Sequence, residues 1–157
     1  MPLSGWRIAD PSFSQSTSQM MSGEGAFLAG GRWNSKGTRV IYLGSSLAQA
    51  AMELLVHLGT PQILNAFLKM EVSFDESLVQ SIDLADLPKN WLSPSMASSV
   101  QAVGDHWVTS QNSLILQVPS AAVLGEYNYL FNPAHADASK AEFSLITPFN
   151  YDSRLIQ

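Results

Sequence analysis

The sequence predicts an α+β fold: a single domain over residues 1–157, with a mixed or antiparallel sheet and a few helices. Three observations carry that expectation. Apolar residues recur at helical spacing in two stretches, near residues 47–58 and 95–110. Several short β-rich runs lie around them. The two kinds of segment do not alternate in the regular order that a doubly wound parallel sheet requires. The length favours one domain, and 46% hydrophobic residues are enough to build its core.

In chain order, a short apolar stretch opens around Trp6 to Ile8, and residues 14–22 read as loop. Residues 39–43 are β-rich and short, hence a strand. Ser45 and Ser46 then offer an N-cap and Gly59 a C-terminal stop. Between them Leu47, Ala50, Ala51, Leu54, Leu55 and Leu58 share one helical face. Residues 63–74, with Phe67, Met70, Val72 and Phe74, read as a strand, and 78–84 as a weaker one. Residues 88–94 are turn-rich around Trp91. Residues 95–110 read as a second helix with Ser95 as a candidate cap. Residues 113–118 form an apolar strand stopped by Pro119. Residues 128–131 and 142–147 are further strands, with Asn128, Asn132 and Pro133 read as turn residues framing the first.

The net charge of −5 argues against general nucleic-acid binding, which needs a basic face, but leaves room for a local positive pocket. Charged residues are only 13% of the chain, which suits either a partner interface or a surface rich in Ser, Asn and Gln. The absence of cysteine excludes disulfides and thiolate metal sites and fits a reducing cytoplasm. The N-terminus lacks the basic-then-apolar pattern of a secretory signal, and no apolar run reaches membrane-spanning length. A soluble cytoplasmic protein is expected.

The segment Gly30-Gly31-Arg32-Trp33-Asn34 is the most informative. It places a planar, permanently charged guanidinium on flexible backbone beside an indole, an arrangement suited to a phosphate or pyrophosphate. A purely structural arginine, stacked on Trp33 or paired with a carboxylate, is the other reading. Glu53 falls beside the apolar stripe of the first helix, in a polar row with Gln49 and His57 spaced by four. That row is either a solvated face or the wall of a cleft next to the strand carrying Tyr42. Tyr42 is a core aromatic or a stacking surface for a flat heterocycle. Ser120, after Pro119, reads as a turn or cap residue, and no G-x-S-x-G elbow surrounds it. His57, His106 and His135 lack metal-ligand spacing, so no metal is expected.

Seven ordered segments are together similar to the RES domain family. They are Trp6-Arg7-Ile8; Gly23 through Ala26; Gly30 through Gly37 with Val40 through Leu43; the helix from Leu47 to Leu58; Gly104-Asp105-His106-Trp107; Val118-Pro119-Ser120-Ala121; and Asn128 through His135. The resemblance implies that Arg32, Glu53 and Ser120 are the arginine, glutamate and serine for which the family is named, with Tyr42 lining the same pocket. It also implies a fold like that of ADP-ribosyltransferase toxins, the role of toxin in a bacterial toxin–antitoxin module, and an Xre-type antitoxin as partner. A homo-oligomer within that complex is compatible with it. The implied activity is destruction of NAD at the nicotinamide–ribose bond, by hydrolysis or phosphorolysis, with NAD as substrate and no prosthetic group. Transfer of ADP-ribose to a protein is the alternative, and a catalytically idle binding module a second one. In this scheme Glu53 stabilises the ribosyl cation and could also bind a ribose hydroxyl or orient water, Arg32 grips the pyrophosphate, Tyr42 stacks on the nicotinamide ring or walls its pocket, and Ser120 binds the nicotinamide ribose or a phosphate. Arg7 and Lys36 supply extra phosphate contacts. Leu124, Ala136 and Ser153 stand where the family often has proline, which bears on loop shape and leaves the proposed site residues in place.

Overall fold

The computed structural model describes residues 1–58, 67–152 and 154. Its elements are β1 (Pro2–Ala9), α1 (Thr17–Met20), α2 (Glu24–Ala29), β2 (Ile41–Gly44), α3 (Leu47–Leu58), β3 (Leu68–Asp75), β4 (Val79–Ser81), α4 (Ser98–Ser110), β5 (Ile115–Pro119), β6 (Tyr127–Phe131), β7 (Glu142–Phe143) and β8 (Thr147–Pro148). The strands form one mixed sheet in the order β4-β5-β6-β2-β1-β3-β7, with β8 also on β3. β4 and β5 pair in parallel, and the other pairs are antiparallel. The α+β class is the one expected.

Strand alternation divides the core between the two faces of this sheet. On one face Ile41, Leu43, Met70, Val72, Phe74, Ile115, Tyr129 and Phe131 pack into a common cluster with Met20. The other face carries the helices. Ile8 packs with Ala50 of α3, while Val118, Leu116 and Leu130 pack with Trp107 and Val100 of α4. Trp6 pairs with Gly44, and Gly44 with Asn128, so these three residues share the helical face.

Several local expectations shift. The apolar opening is part of a full strand, β1, paired to both β2 and β3. Residues 14–22 contain α1, whose cap Ser16 accepts from the N–H of Gln19. The second helix starts at Ser98, after Ala97, which makes no side-chain cap bond, so Ser95 is not its cap. Pro119 ends β5 from within, still paired with Tyr127. Residues 142–147 split into β7 and β8, each two residues long and each on β3. Gly59 and residues 63–66 lie outside the described residues, as does Ser153.

Candidate functional site

Helix α3 reaches the site because β2 ends on a glycine. A Cβ on Gly44 would stand 2.4 Å from the backbone nitrogen of Ala50, so any side chain there would push the helix off the sheet. Ser46 accepts from the N–H of Gln49 at 3.0 Å and caps the helix start, as the serine pair predicted. Gln49 and Glu53, one turn apart, then face β6 and the segment after β5.

There a compact polar group forms. Glu53 Oε1 accepts hydrogen bonds from Ser120 Oγ at 2.6 Å, Asn128 Nδ2 at 2.9 Å and Gln49 Nε2 at 3.2 Å. Gln49 Nε2 also donates to Asn128 Oδ1 at 3.1 Å. Ser120 Oγ accepts from the N–H of Val123 at 3.0 Å, so the turn role and the contact with Glu53 coexist. Gln49, Ser120 and Asn128 are buried, whereas Glu53 is half-buried. A hollow of about 190 Å³ adjoins the group, lined by Ser46, Ala48, Gln49, Met52, Val123 and Glu126. A larger one, about 260 Å³, lies between α4 and the β4–β5 edge, and none of the predicted site residues lines it.

The arginine loop is held by Tyr42. Its hydroxyl donates to Asn34 Oδ1 at 2.5 Å and accepts from the N–H of Trp33 at 3.2 Å. Asn34 Nδ2 in turn donates to the carbonyls of Ala26, Ser35 and Thr38. Gly31 is required here, since a Cβ would lie 2.5 Å from the Tyr42 hydroxyl. Burial pushes the Tyr42 phenol well above its ordinary pKa, so the group is a neutral donor and not a base. Arg32 Nη1 donates to the carbonyls of Trp91 at 2.6 Å and Ser93 at 2.7 Å. This ties the turn at 88–94 to the arginine loop, and the indoles of Trp33 and Trp91 stack across the junction with centroids 6.4 Å apart.

Tyr42 pairs with Leu130 and Gly44 with Asn128, so Tyr42 and Asn128 are diagonal neighbours on the helical face. Tyr42, Glu53, Ser120 and the base of the Arg32 loop therefore belong to one side of the sheet. Arg7 does not. It alternates with Trp6 and Ile8 in β1 and pairs with Met70, so it projects from the opposite face, where its Nε donates to the Met20 carbonyl at 3.3 Å. Burial there pushes its pKa below the usual arginine value. Arg7, expected to supply a phosphate contact, thus lies on the face opposite Glu53 and bonds the Met20 carbonyl there. Lys36 is exposed on the outer part of the arginine loop, and His57, the third member of the polar row, is exposed on α3. His135 accepts from the N–H of Asp137 as a cap.

Asn128 is the site residue that sequence reasoning misread as a turn. It is the second residue of β6 and points at Glu53. A signal was present: an asparagine inside Tyr-Asn-Tyr-Leu-Phe is a residue type depleted from strands, set among types that favour them. Gln49 was placed in the right row, but its burial to 3% exposure was not foreseen.

The RES domain model matches residues 4–152. The Prs ADP-ribosylating toxin of Sphingobium sp. (strain YBL2) is 35% identical over 161 residues, covering 100% of this chain and 99% of that protein. A protein named Toxin Res from Yersinia enterocolitica is 37% identical over 136 residues, covering 85% of this chain and 89% of its own length. Another Toxin Res, from Photorhabdus laumondii, is 34% identical over 87% of this chain and 88% of its own. Among solved structures, a chain of the M. tuberculosis MbcT–MbcA toxin–antitoxin complex superposes with a TM-score of 0.72, covering 96% of this chain and 85% of that one. At 20% identity, that likeness concerns the fold.

Proposed function

The chain belongs to the RES domain family, and from that membership we propose that it is the toxin of a toxin–antitoxin pair and consumes NAD by breaking the nicotinamide–ribose bond. The observation that carries the reading is the carboxylate of Glu53, half-exposed and tied through one oxygen to Ser120, Asn128 and Gln49. Nicotinamide in NAD is a cationic leaving group that departs neutral, so the reaction needs little acid assistance. Positive charge accumulates on the ribose as an oxocarbenium ion, as in other glycoside cleavages. A carboxylate held in place beside that charge lowers the barrier without reorganising. Ser120 donates its single hydroxyl proton to Glu53, which supports a role in holding the acid rather than in binding ribose or phosphate. Arg32 has its Nη1 protons on two carbonyls, which leaves the Nε–Nη2 edge as a fork for the pyrophosphate. Tyr42 braces that loop from below. Lys36 is free to add a phosphate contact at the rim.

Water or phosphate is the acceptor in this reading. The full-length similarity to an ADP-ribosylating toxin favours a second one, transfer of ADP-ribose to a protein, through the same bond cleavage. The partner is an antitoxin of the Xre type, supported by the family and by the toxin–antitoxin complex whose fold the chain shares. The test is purified protein incubated with NAD, with nicotinamide and ADP-ribose products quantified and any acceptor protein weighed. Free nicotinamide with unmodified protein is expected. A mass gain of one ADP-ribose on a protein selects the second reading, and no nicotinamide from either route overturns both.

A further inference from the structure

Glu53 Oε1 receives three donors, more than its two lone pairs need, while Oε2 receives none from the described residues. One side of the carboxylate is thus saturated and the other open. The donor Asn128 could serve this purpose only in one orientation of its amide. Turned over, it would set its carbonyl oxygen against Glu53 Oε1 and repel it. What prevents the turn is Gln49, whose Nε2 donates to Asn128 Oδ1 at 3.1 Å and so obliges Nδ2 to face the acid. Both amides are buried, so water does not compete freely for these bonds.

We propose that Gln49 and Asn128 are positioning residues: Gln49 locks the Asn128 amide, and the locked amide, with Ser120, holds Glu53 in the one rotamer that presents Oε2 to the ribose. This rests on the NAD-cleaving function proposed above for its kinetic consequence, but not for its geometry. The helix and the strand divide the task, since Gln49 and Glu53 lie one turn apart on α3 while Asn128 reaches them from β6. A residue that acts only by aiming the acid should matter to the transition state and little to the bound substrate.

The test uses Gln49→Met, which keeps the length and flexibility of the side chain and removes its donors. Two measurements are made on the full chain. In the substrate-free protein, the side-chain amide NMR signals of Asn128, assigned by their loss in Asn128→Asp, should shift in Gln49→Met and in Glu53→Gln. In the nicotinamide-release assay, kcat should fall about tenfold to a hundredfold while KM for NAD stays within about twofold. Asn128→Leu should show the same split, and it stands in if Gln49→Met does not fold. Unmoved Asn128 signals, or a rise in KM with kcat unchanged, would overturn the positioning role. If the wild-type protein releases no nicotinamide by any route, the function is wrong, and the NMR signals alone decide whether the amide lock exists.

Discussion

Because Glu53 Oε1 is engaged and Oε2 receives no donor among the described residues, exchanging the acid for an amide can preserve every bond on the engaged side. Glu53→Gln therefore removes the carboxylate charge while leaving the fold nearly intact. We expect nicotinamide release to drop by about a hundred- to a thousandfold, with little change in the thermal midpoint. A variant that still works at the wild-type rate would remove Glu53 from the mechanism. Tyr42 makes the opposite kind of contribution. Tyr42→Phe leaves the N–H of Trp33 and the Oδ1 of Asn34 without the hydroxyl between them, a loss of about 1–3 kcal/mol in chemical denaturation. Its titration has a sign as well. Burial raises the phenol above its ordinary value of 10.0, so the native state keeps a proton that the unfolded chain gives up. This stabilisation is complete below about pH 10 and is lost as pH climbs through the native value. Tyr129 is raised too, chiefly by burial, so alkaline unfolding should become shallower, not vanish, in Tyr42→Phe. A denaturation series from pH 8 to about 11 on both proteins measures this.

For the elements, the contact between β2 and α3 is decisive. Gly44→Ala drives a methyl group toward the backbone of Ala50, which cannot move without the whole helix. A loss of about 1–3 kcal/mol or more is expected, with a fall in kcat because Glu53 travels with α3. A variant of wild-type stability and rate would mean that the helix tolerates the shift. Helix α3 itself was legible from its apolar spacing and its serine cap, because both signals are local. β5 and the buried alternation of β3 were legible for the same reason. β1 was not, since Ser4, Gly5 and Arg7 dilute its apolar pattern. It is a strand because β2 and β3 pair with it on both edges, and Gly5 is needed where Leu43 crowds within 2.9 Å. The early start assigned to the second helix failed because residues 88–97 are taken up by the turn that Arg32 grips.

Across the whole molecule, the sheet separates the charges of the candidate site from a charge on its other face. Arg32 and Glu53 belong to the helical side, and Arg7 to the other, where its guanidinium meets the Met20 carbonyl. Arg7→Lys should therefore lower the unfolding midpoint while leaving KM for NAD within about twofold, as steady-state kinetics beside a thermal melt would show. A large rise in KM would return Arg7 to the substrate. The sequence by itself determined the α+β class, the helix bearing Glu53 and the family, because periodicity, caps and ordered motifs are written in neighbouring residues. It also marked Arg32, Tyr42, Glu53 and Ser120. Only the tertiary structure decided how they are used: that Tyr42 braces a loop, that Ser120 holds an acid, that Arg7 lies on the far face, and that Asn128 and Gln49 complete the group. Those roles depend on which face of a strand a side chain leaves and on which buried polar partner meets it there. Residues 49 and 128 become neighbours through strand pairing and helix packing, and no local pattern in the chain encodes that meeting.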